Sequence, residues 1–272
     1  CINSILENGI RDVYIAMKDP NPVVGGKGIS ALKQAGINVE CGILMKDASE
    51  LNKGYSNWVT NGIPFVIGKI AEDSKGYIAQ KGKRVLISGN QALEDVHKLR
   101  ANVDAIMIGK NTALIDNPSL TVRKVIGKNP KRIILDTNRT LPLSLKIFND
   151  SLSETIVLCS NKIFKNNKTS HCKYIAVDEI NGHLDPKDIL LKLGAIGITS
   201  LMIEGGGLLM KSFLEDELID QFYLYSADSF KNDLNIKNPF NIDDRWEMAE
   251  KKILGRNQLF ILNKKKVCLQ EL

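Results

Sequence analysis

The sequence predicts an α/β protein. Strand-like apolar runs alternate with helical patterns along the chain, glycine and proline punctuate them, and the composition is that of a globular chain. Of the 272 residues, 43% are hydrophobic and 25% charged, with no long low-complexity run. That balance argues against disorder. No apolar stretch approaches the length needed to span a bilayer, so no membrane role is expected. The start, Cys1-Ile2-Asn3-Ser4, lacks the basic and apolar regions of a secretory signal and has no initiator Met. The expectation is a cytoplasmic fragment whose upstream sequence is missing. The five cysteines (Cys1, Cys41, Cys159, Cys172 and Cys268) are scattered and form no Cys-x-x-Cys pair. This argues against a disulfide framework and against a zinc site contained in the chain. A net charge of +6 suits a phosphorylated ligand. Lys251-Lys252 and Lys264-Lys265-Lys266 stand beside no nucleic-acid motif and read as solvated surface, so no nucleic-acid partner is expected.

The elements follow in order. Val13 to Met17 reads as a strand, broken by Asp19-Pro20-Asn21-Pro22, then Gly28 to Ala35 as a helix. Ile37 to Leu44 gives a second strand and Ala48 to Val59 a second helix. This first unit, residues 1–61, is too small to bury a good core alone. Asn61-Gly62-Ile63-Pro64 marks a boundary, and residues 62–272 form the second unit. There, Phe65 to Lys69 is a strand. Ser88 to Arg100 is a helix in which Ser88 and Gln91 have capping-box spacing. Strands are predicted at Val103 to Ile108, Arg132 to Leu135, Thr155 to Cys159, Tyr174 to Val177, Ser200 to Glu204 and Gln221 to Ala227. Asp185 caps a helix with Pro186 in its first turn. Lys252 to Leu269 closes the chain as a strand pair.

Three constellations carry chemistry. The stretch Thr112 to Arg123 follows directly on the strand ending Ile108-Gly109, the place where open α/β sheets hold ligands. A Thr hydroxyl, an Asp and an Arg there can meet a sugar, a pyrimidine and a phosphate, although Asp116-Asn117-Pro118 is also good turn chemistry in its own right. Glu204-Gly205-Gly206-Gly207 lies between a strand and a helix starting near Leu208. Glycines there let the backbone approach a ligand and the helix amino end attracts phosphate, while a strand-to-helix turn needs glycine anyway. Asp95-Val96-His97-Lys98-Leu99-Arg100 lies late on a helix. Val96 and Leu99 face the core, and Arg100 either closes the helix end against its dipole or forks onto a phosphate. His97 alone reads as a surface or satisfied core residue rather than a catalyst.

Taken together, Lys69, Asp95 through Ala101, Thr112 through Arg123, Leu135-Asp136-Thr137 and Ile203-Glu204-Gly205-Gly206-Gly207 resemble one family. It is the reductase domain of the bifunctional riboflavin-biosynthesis deaminase/reductase, over roughly residues 62 to 230. Gly9 to Val13, Ala16 to Pro22 and Gly26-Lys27-Gly28 are similar to the tail of that family's zinc deaminase domain. The resemblance implies a dihydrofolate-reductase-like mixed sheet flanked by helices, preceded by the remnant of a cytidine-deaminase-like α/β domain. It implies NADPH-dependent reduction of 5-amino-6-(5-phosphoribosylamino)uracil, with hydride passing to the ribose C1 of an open-chain imine. NADPH is placed by it near Ala71, Leu86, Thr112, Asp116, Thr137, Gly206, Gly207 and Leu208. The substrate is placed near Arg100, Leu120, Arg123 and Glu204. Lys69 and Asp116 become the candidate polar groups around the reacting centre, and Arg100 and Arg123 the candidate phosphate ligands. Cys1 corresponds to a zinc-ligand cysteine of the deaminase domain. One thiolate cannot hold a catalytic zinc, so zinc and deamination are expected only with a complete deaminase domain. The resemblance also implies a homodimer.

The chain departs from the family pattern at several places. Ala71 is followed by Glu72-Asp73-Ser74-Lys75-Gly76 where the family reads Ser-Leu-Asp-Gly, Arg84 stands for a Ser, and Leu86 for a Trp. Asp228-Ser229-Phe230-Lys231 replaces a Pro-Lys-x-x-Gly stretch. Two other readings therefore stay open. One is a reductase-like domain that has lost catalysis and serves as a scaffold for a deaminase. The other is an NADPH reductase of the same fold with another pterin-like or pyrimidine substrate.

Overall fold

The computed structural model describes residues 2–165, 172–229 and 233–265. The first unit contains α1 (Ile2–Glu7), β1 (Asp12–Ile15), α2 (Lys27–Gln34), β2 (Asn38–Cys41), α3 (Met45–Leu51) and α4 (Lys53–Asn61). Strands β1 and β2 pair in parallel, Asp12 opposite Asn38. Both are shorter than the sequence pattern predicts. The helix expected over residues 48–59 is two helices, split at Asn52, whose Nδ2 donates to the Ala48 carbonyl at 2.8 Å. An Asn side chain competing with the backbone in this way favours a break. Among the described residues of this segment, Leu32 and Ile37 are the buried apolar ones. It is joined to the rest through α4. The Trp58 indole donates to the Gly194 carbonyl (2.9 Å), Asn57 Nδ2 to the carbonyls of Ile63 and Pro64, and Lys53 Nζ to Gln221 Oε1 (2.9 Å). Gly194 permits this approach, since a Cβ there would sit 1.9 Å from the Gly62 carbonyl oxygen.

The second unit runs β3 (Phe65–Glu72), β4 (Tyr77–Ala79), α5 (Asn90–Ala101), β5 (Ala105–Gly109), α6 (Lys110–Asp116), β6 (Lys131–Leu135), α7 (Lys146–Asn149), β7 (Thr155–Ser160) and β8 (Lys173–Val177). It continues with β9 (Glu179–Ile180), β10 (His183–Leu184), α8 (Pro186–Ala195), β11 (Ser200–Glu204), α9 (Gly207–Glu215), β12 (Gln221–Ala227), β13 (Ile236–Lys237), β14 (Trp246–Leu254) and β15 (Asn257–Lys264). Nine strands form one sheet in the order β14-β15-β12-β3-β11-β5-β6-β7-β8. The seven from β12 to β8 are parallel, and β15 runs antiparallel between β12 and β14. This is the mixed sheet flanked by helices that the resemblance implies.

Alternation along the strands sorts the core onto two faces. Val66, Met107, Ile133, Leu158, Leu201 and Ile203 pack under α8 and α9, against Ile189, Leu193, Met210 and Phe213. Ile67, Ile106, Ile108, Ile134, Val157 and Met202 pack on the other face with Leu99 of α5, Ala113 of α6 and Phe148 of α7. Strands covered on both sides read as near-continuous apolar runs, which is why they were visible in the sequence. Asp185 caps α8 as predicted, accepting from Lys187 N–H at 3.0 Å. The capping box predicted for α5 is absent. Gly89 is the N-cap, Ser88 is buried, and the Gly89 N–H donates to Asn257 Oδ1 on β15 at 2.9 Å. A tertiary partner has taken over the role of the local one. The closing hairpin starts at Trp246, earlier than expected, and residues 266–269 of the predicted pair lie outside the described residues.

Candidate active site

The chain leaves β3, skips one position to β5, and fills the gap later with β11. The order of connection therefore reverses beside β3, and the strand carboxyl ends there open the crevice in which such sheets bind ligands. Lys69 on β3 and Glu204 on β11 are direct cross-strand partners. Lys69 Nζ lies 3.7 Å from Glu204 Oε1 and 5.5 Å from the centre of the Tyr225 ring on β12. Arg100, projecting from the last turn of α5, grips the same carboxylate with both arms, Nε to Oε2 at 3.0 Å and Nη2 to Oε1 at 2.7 Å. Its remaining arm donates to the Thr121 carbonyl at 3.2 Å. The fork of Arg100 is thus already committed to Glu204.

The glycine turn meets α6 from the side. Gly205 and Gly206 have φ of +83° and +86°, where a side chain is strained, and the space is tight as well. A Cβ on Gly205 would lie 3.2 Å from Thr112 Cγ2, and one on Gly206 would lie 3.3 Å from Thr112 Oγ1. The stretch after β5 begins as helix α6 and turns at Asn117, whose φ is +38°, within the Asp116-Asn117-Pro118 run that has turn chemistry. Leu120, also left-handed at φ +53°, is buried. Thr121 and Arg123 follow on the same loop. The Arg123 guanidinium donates to Thr121 Oγ1 at 2.9 Å, and its backbone N–H donates to His97 Nδ1 on α5 at 3.1 Å.

The charges shape one another. Burial alone would raise the Glu204 carboxyl, but the Arg100 and Lys69 charges and the hydrogen bonds from Arg100 overcome it and hold it at about 2. The Lys69 ammonium is pulled below its ordinary value by burial, with Arg100 adding and Glu204 opposing. Burial raises the Asp116 carboxyl, Arg84 opposes the rise, and the nearby Glu204 charge adds to it. His97 is lowered to about 4 by burial and by the charges of Arg100 and Arg123, so its imidazole is neutral at pH 7. Burial raises the Tyr225 phenol, helped by Asp95, to which it donates at 2.7 Å.

Lys69, Arg100, Thr112, Asp116, Arg123, Glu204 and the Gly205-Gly206 turn thus form one neighbourhood. Ala71, near the end of β3, is paired with Tyr225. Gly207 opens α9, and Leu208 is exposed on its first turn. Leu86 is exposed in the segment before α5. Thr137 lies beyond the carboxyl end of β6, where its carbonyl accepts the Ser160 N–H at 3.0 Å. Asp136 is buried and holds that loop through Leu141 N–H at 2.7 Å. Cys1 lies outside the described residues, and among the described residues no group of three His, Cys, Asp or Glu is placed to hold a metal. Sequence reasoning passed over Tyr225, Asp95 and Thr121, which surround or support the cluster. Asp95 and Thr121 stood inside the motifs, but their partners come from distant strands and loops.

Residues 64–230 match the RibD C-terminal domain family. The chain is similar to the riboflavin biosynthesis protein RibD of Aquifex aeolicus, 33% identical over 93% of this chain and 72% of the relative. It is also similar to that of Escherichia coli K12, 31% identical over 84% and 65%. Among solved structures, Acinetobacter baumannii RibD superposes with a TM-score of 0.84 at 28% identity, covering 98% of this chain and 76% of that one. The diaminohydroxyphosphoribosylaminopyrimidine deaminase/5-amino-6-(5-phosphoribosylamino)uracil reductase of Thermotoga maritima gives 0.84 at 26%, covering 97% and 74%. The chain spans about two thirds to three quarters of the length of these relatives. A match over more than half of the chain and identities above 30% along most of it have one meaning: this protein belongs to the RibD C-terminal domain family of riboflavin biosynthesis.

Proposed function

We propose that this chain is the NADPH-dependent reductase of 5-amino-6-(5-phosphoribosylamino)uracil in riboflavin biosynthesis, yielding the ribitylamino product. The observation that carries the reading is the Lys69–Glu204–Arg100 cluster at the strand ends, set beside the side-chain-free turn at Gly205-Gly206. A dinucleotide fits the residues present. The glycine turn brings bare backbone close to Thr112, whose side chain a Cβ at either glycine would crowd, and it opens onto the amino end of the nine-residue helix α9, which favours a phosphate. Thr112, Gly206, Gly207 and Leu208 would hold it there, with Ala71, Leu86, Asp116 and Thr137 as further contacts. Bound in that place, NADPH supplies a hydride to the ribose C1.

The chain's own groups do the rest. The reduction also consumes a proton, and Lys69, with its ammonium pulled downward, holds one at Nζ beside the strand ends. Glu204 keeps Lys69 in register and charged more of the time than burial alone would allow. Asp116, raised by burial, is the second polar group at the reacting centre. Leu120 bounds the pyrimidine apolarly. Because Arg100 is engaged by Glu204, the substrate phosphate is assigned to the exposed Arg123 first. Residues 1–61 are assigned as the carboxy-terminal part of a zinc deaminase domain.

Titration with NADPH, followed by nicotinamide fluorescence, should saturate. Arg123→Ala should leave that affinity nearly intact and raise the substrate KM at least about tenfold, since a charged hydrogen bond contributes about 1.5–3 kcal/mol. Absence of NADPH binding would refute the cofactor, and an unchanged KM would remove Arg123 from the phosphate.

A further inference from the structure

The loop that carries Thr121 and Arg123 is fastened to α5 by two hydrogen bonds one helical turn apart. Arg100 donates to the Thr121 carbonyl at 3.2 Å, and His97 Nδ1 accepts the Arg123 backbone N–H at 3.1 Å. Residues three apart on a helix share a face, so one side of α5 presents a donor and an acceptor in register with one donor–acceptor pair of the loop. A third tie, Val122 N–H to Asn129 Oδ1 at 2.8 Å, closes the loop on itself. His97 is only 4% exposed, so an imidazole that made no hydrogen bond there would be costly.

We infer that His97 is a positioning residue: as a neutral hydrogen-bond acceptor it fixes the backbone at Arg123 and so aims that guanidinium at the substrate phosphate. The inference rests on the reading that Arg123 takes the phosphate. His97 itself touches no reacting atom. Its Nδ1 must be unprotonated to accept, which places the ring proton on Nε2. The neighbouring cations keep it so, because Arg100 and Arg123 both disfavour a third positive charge. The same crowding bears on the ligand. Arg123 is lowered from its ordinary value by partial burial and by the like charges of Arg100 and Arg84, a repulsion that a bound dianion relieves. Arg123 would otherwise turn away from its neighbours, and the tie to His97 holds its backbone where the charges meet.

Asn and Gln separate the role from mere filling of space. The side-chain oxygen of Asn falls where His Nδ1 stands, and that of Gln where Nε2 stands. KM and kcat are measured with the phosphorylated substrate and with its dephosphorylated counterpart, for the unaltered chain, His97→Gln, His97→Asn and Arg123→Ala. His97→Gln is expected to raise KM for the phosphorylated substrate about fivefold with kcat within twofold, and to leave the dephosphorylated substrate unaffected. His97→Asn is expected to stay within twofold of the unaltered chain for both. His97→Gln combined with Arg123→Ala should be no worse than Arg123→Ala alone. If Arg123→Ala raises KM and His97→Gln does not, or if His97→Gln affects both substrates equally, the positioning role is overturned while the phosphate reading stands. If Arg123→Ala changes nothing, the phosphate reading fails and the inference with it. A measurement without substitution covers the case of a variant that does not fold. The Arg123 amide proton should be protected from exchange and should shift on binding phosphorylated substrate but not dephosphorylated substrate, and an unprotected amide overturns the inference.

Discussion

Glu204→Gln removes the only negative charge in the ion-pair cluster while keeping its volume and one acceptor oxygen. Two cations address that carboxylate, Arg100 at 2.7 Å and Lys69 at 3.7 Å, and side-chain exposures of 11–14% keep water largely away. At an effective dielectric of about 20, each charge pair at roughly 4 Å is attracted by about 4 kcal/mol. Much of that attraction offsets desolvation. Breaking a buried pair by deleting one partner nevertheless costs about 3–5 kcal/mol, because the charge left behind is uncompensated. The Lys69 ammonium, already disfavoured by burial and by Arg100, is then left without its counter-charge. The expected loss in urea unfolding at pH 7 is therefore about 3 kcal/mol, or roughly 6–12 °C in Tm for a domain of this size. Adding Lys69→Met to Glu204→Gln should recover part of it, since one of the two stranded cations is then gone. A loss below about 1 kcal/mol, or a double variant no more stable than Glu204→Gln, would show that Glu204 does not compensate two buried cations.

Gly206→Val adds a β-branched side chain at φ +86°, with its Cβ 3.3 Å from Thr112 Oγ1; NADPH affinity should fall at least about tenfold by fluorescence titration, and retained affinity would move the cofactor away from this turn. Acid should weaken the fold through His97: its folded pKa of about 4 lies below the unfolded 6.5, so between those values the unfolded chain binds more protons and stability falls as pH drops. Between pH 7 and pH 5 this contributes a loss of roughly 2 kcal/mol that His97→Asn should abolish, as urea midpoints at the two pH values would show. Glu204, also depressed, adds its own loss only as pH falls from 4.5 toward about 2.

The parallel strands β5, β6 and β7 were legible because burial on both faces turns them into apolar runs such as Ala105-Ile106-Met107-Ile108. Asp185-Pro186 was legible because a cap and an N1 proline are local signals. Non-local partners were not. The start of α5 is held by Asn257, more than 150 residues away, so the capping-box spacing at Ser88 misled. The break at Asn52 and the helical start of the Thr112 segment were obscured by residues that suit either conformation. The site was legible as motifs, and Glu204, Arg123 and Lys69 were marked from them together with the family resemblance. That Arg100 would be held by Glu204 rather than left open for phosphate depends on the cross-strand register of β11 against β3, which no spacing along the chain encodes.

The most direct test is turnover. The purified 272-residue chain is mixed with NADPH and 5-amino-6-(5-phosphoribosylamino)uracil, with nicotinamide absorbance and the ribitylamino product followed together. One NADPH is expected to be consumed per ribitylamino product formed, at a rate that falls when Lys69 is replaced by Met. A chain that binds NADPH and melts cooperatively, yet consumes none with this substrate, is not the reductase proposed above.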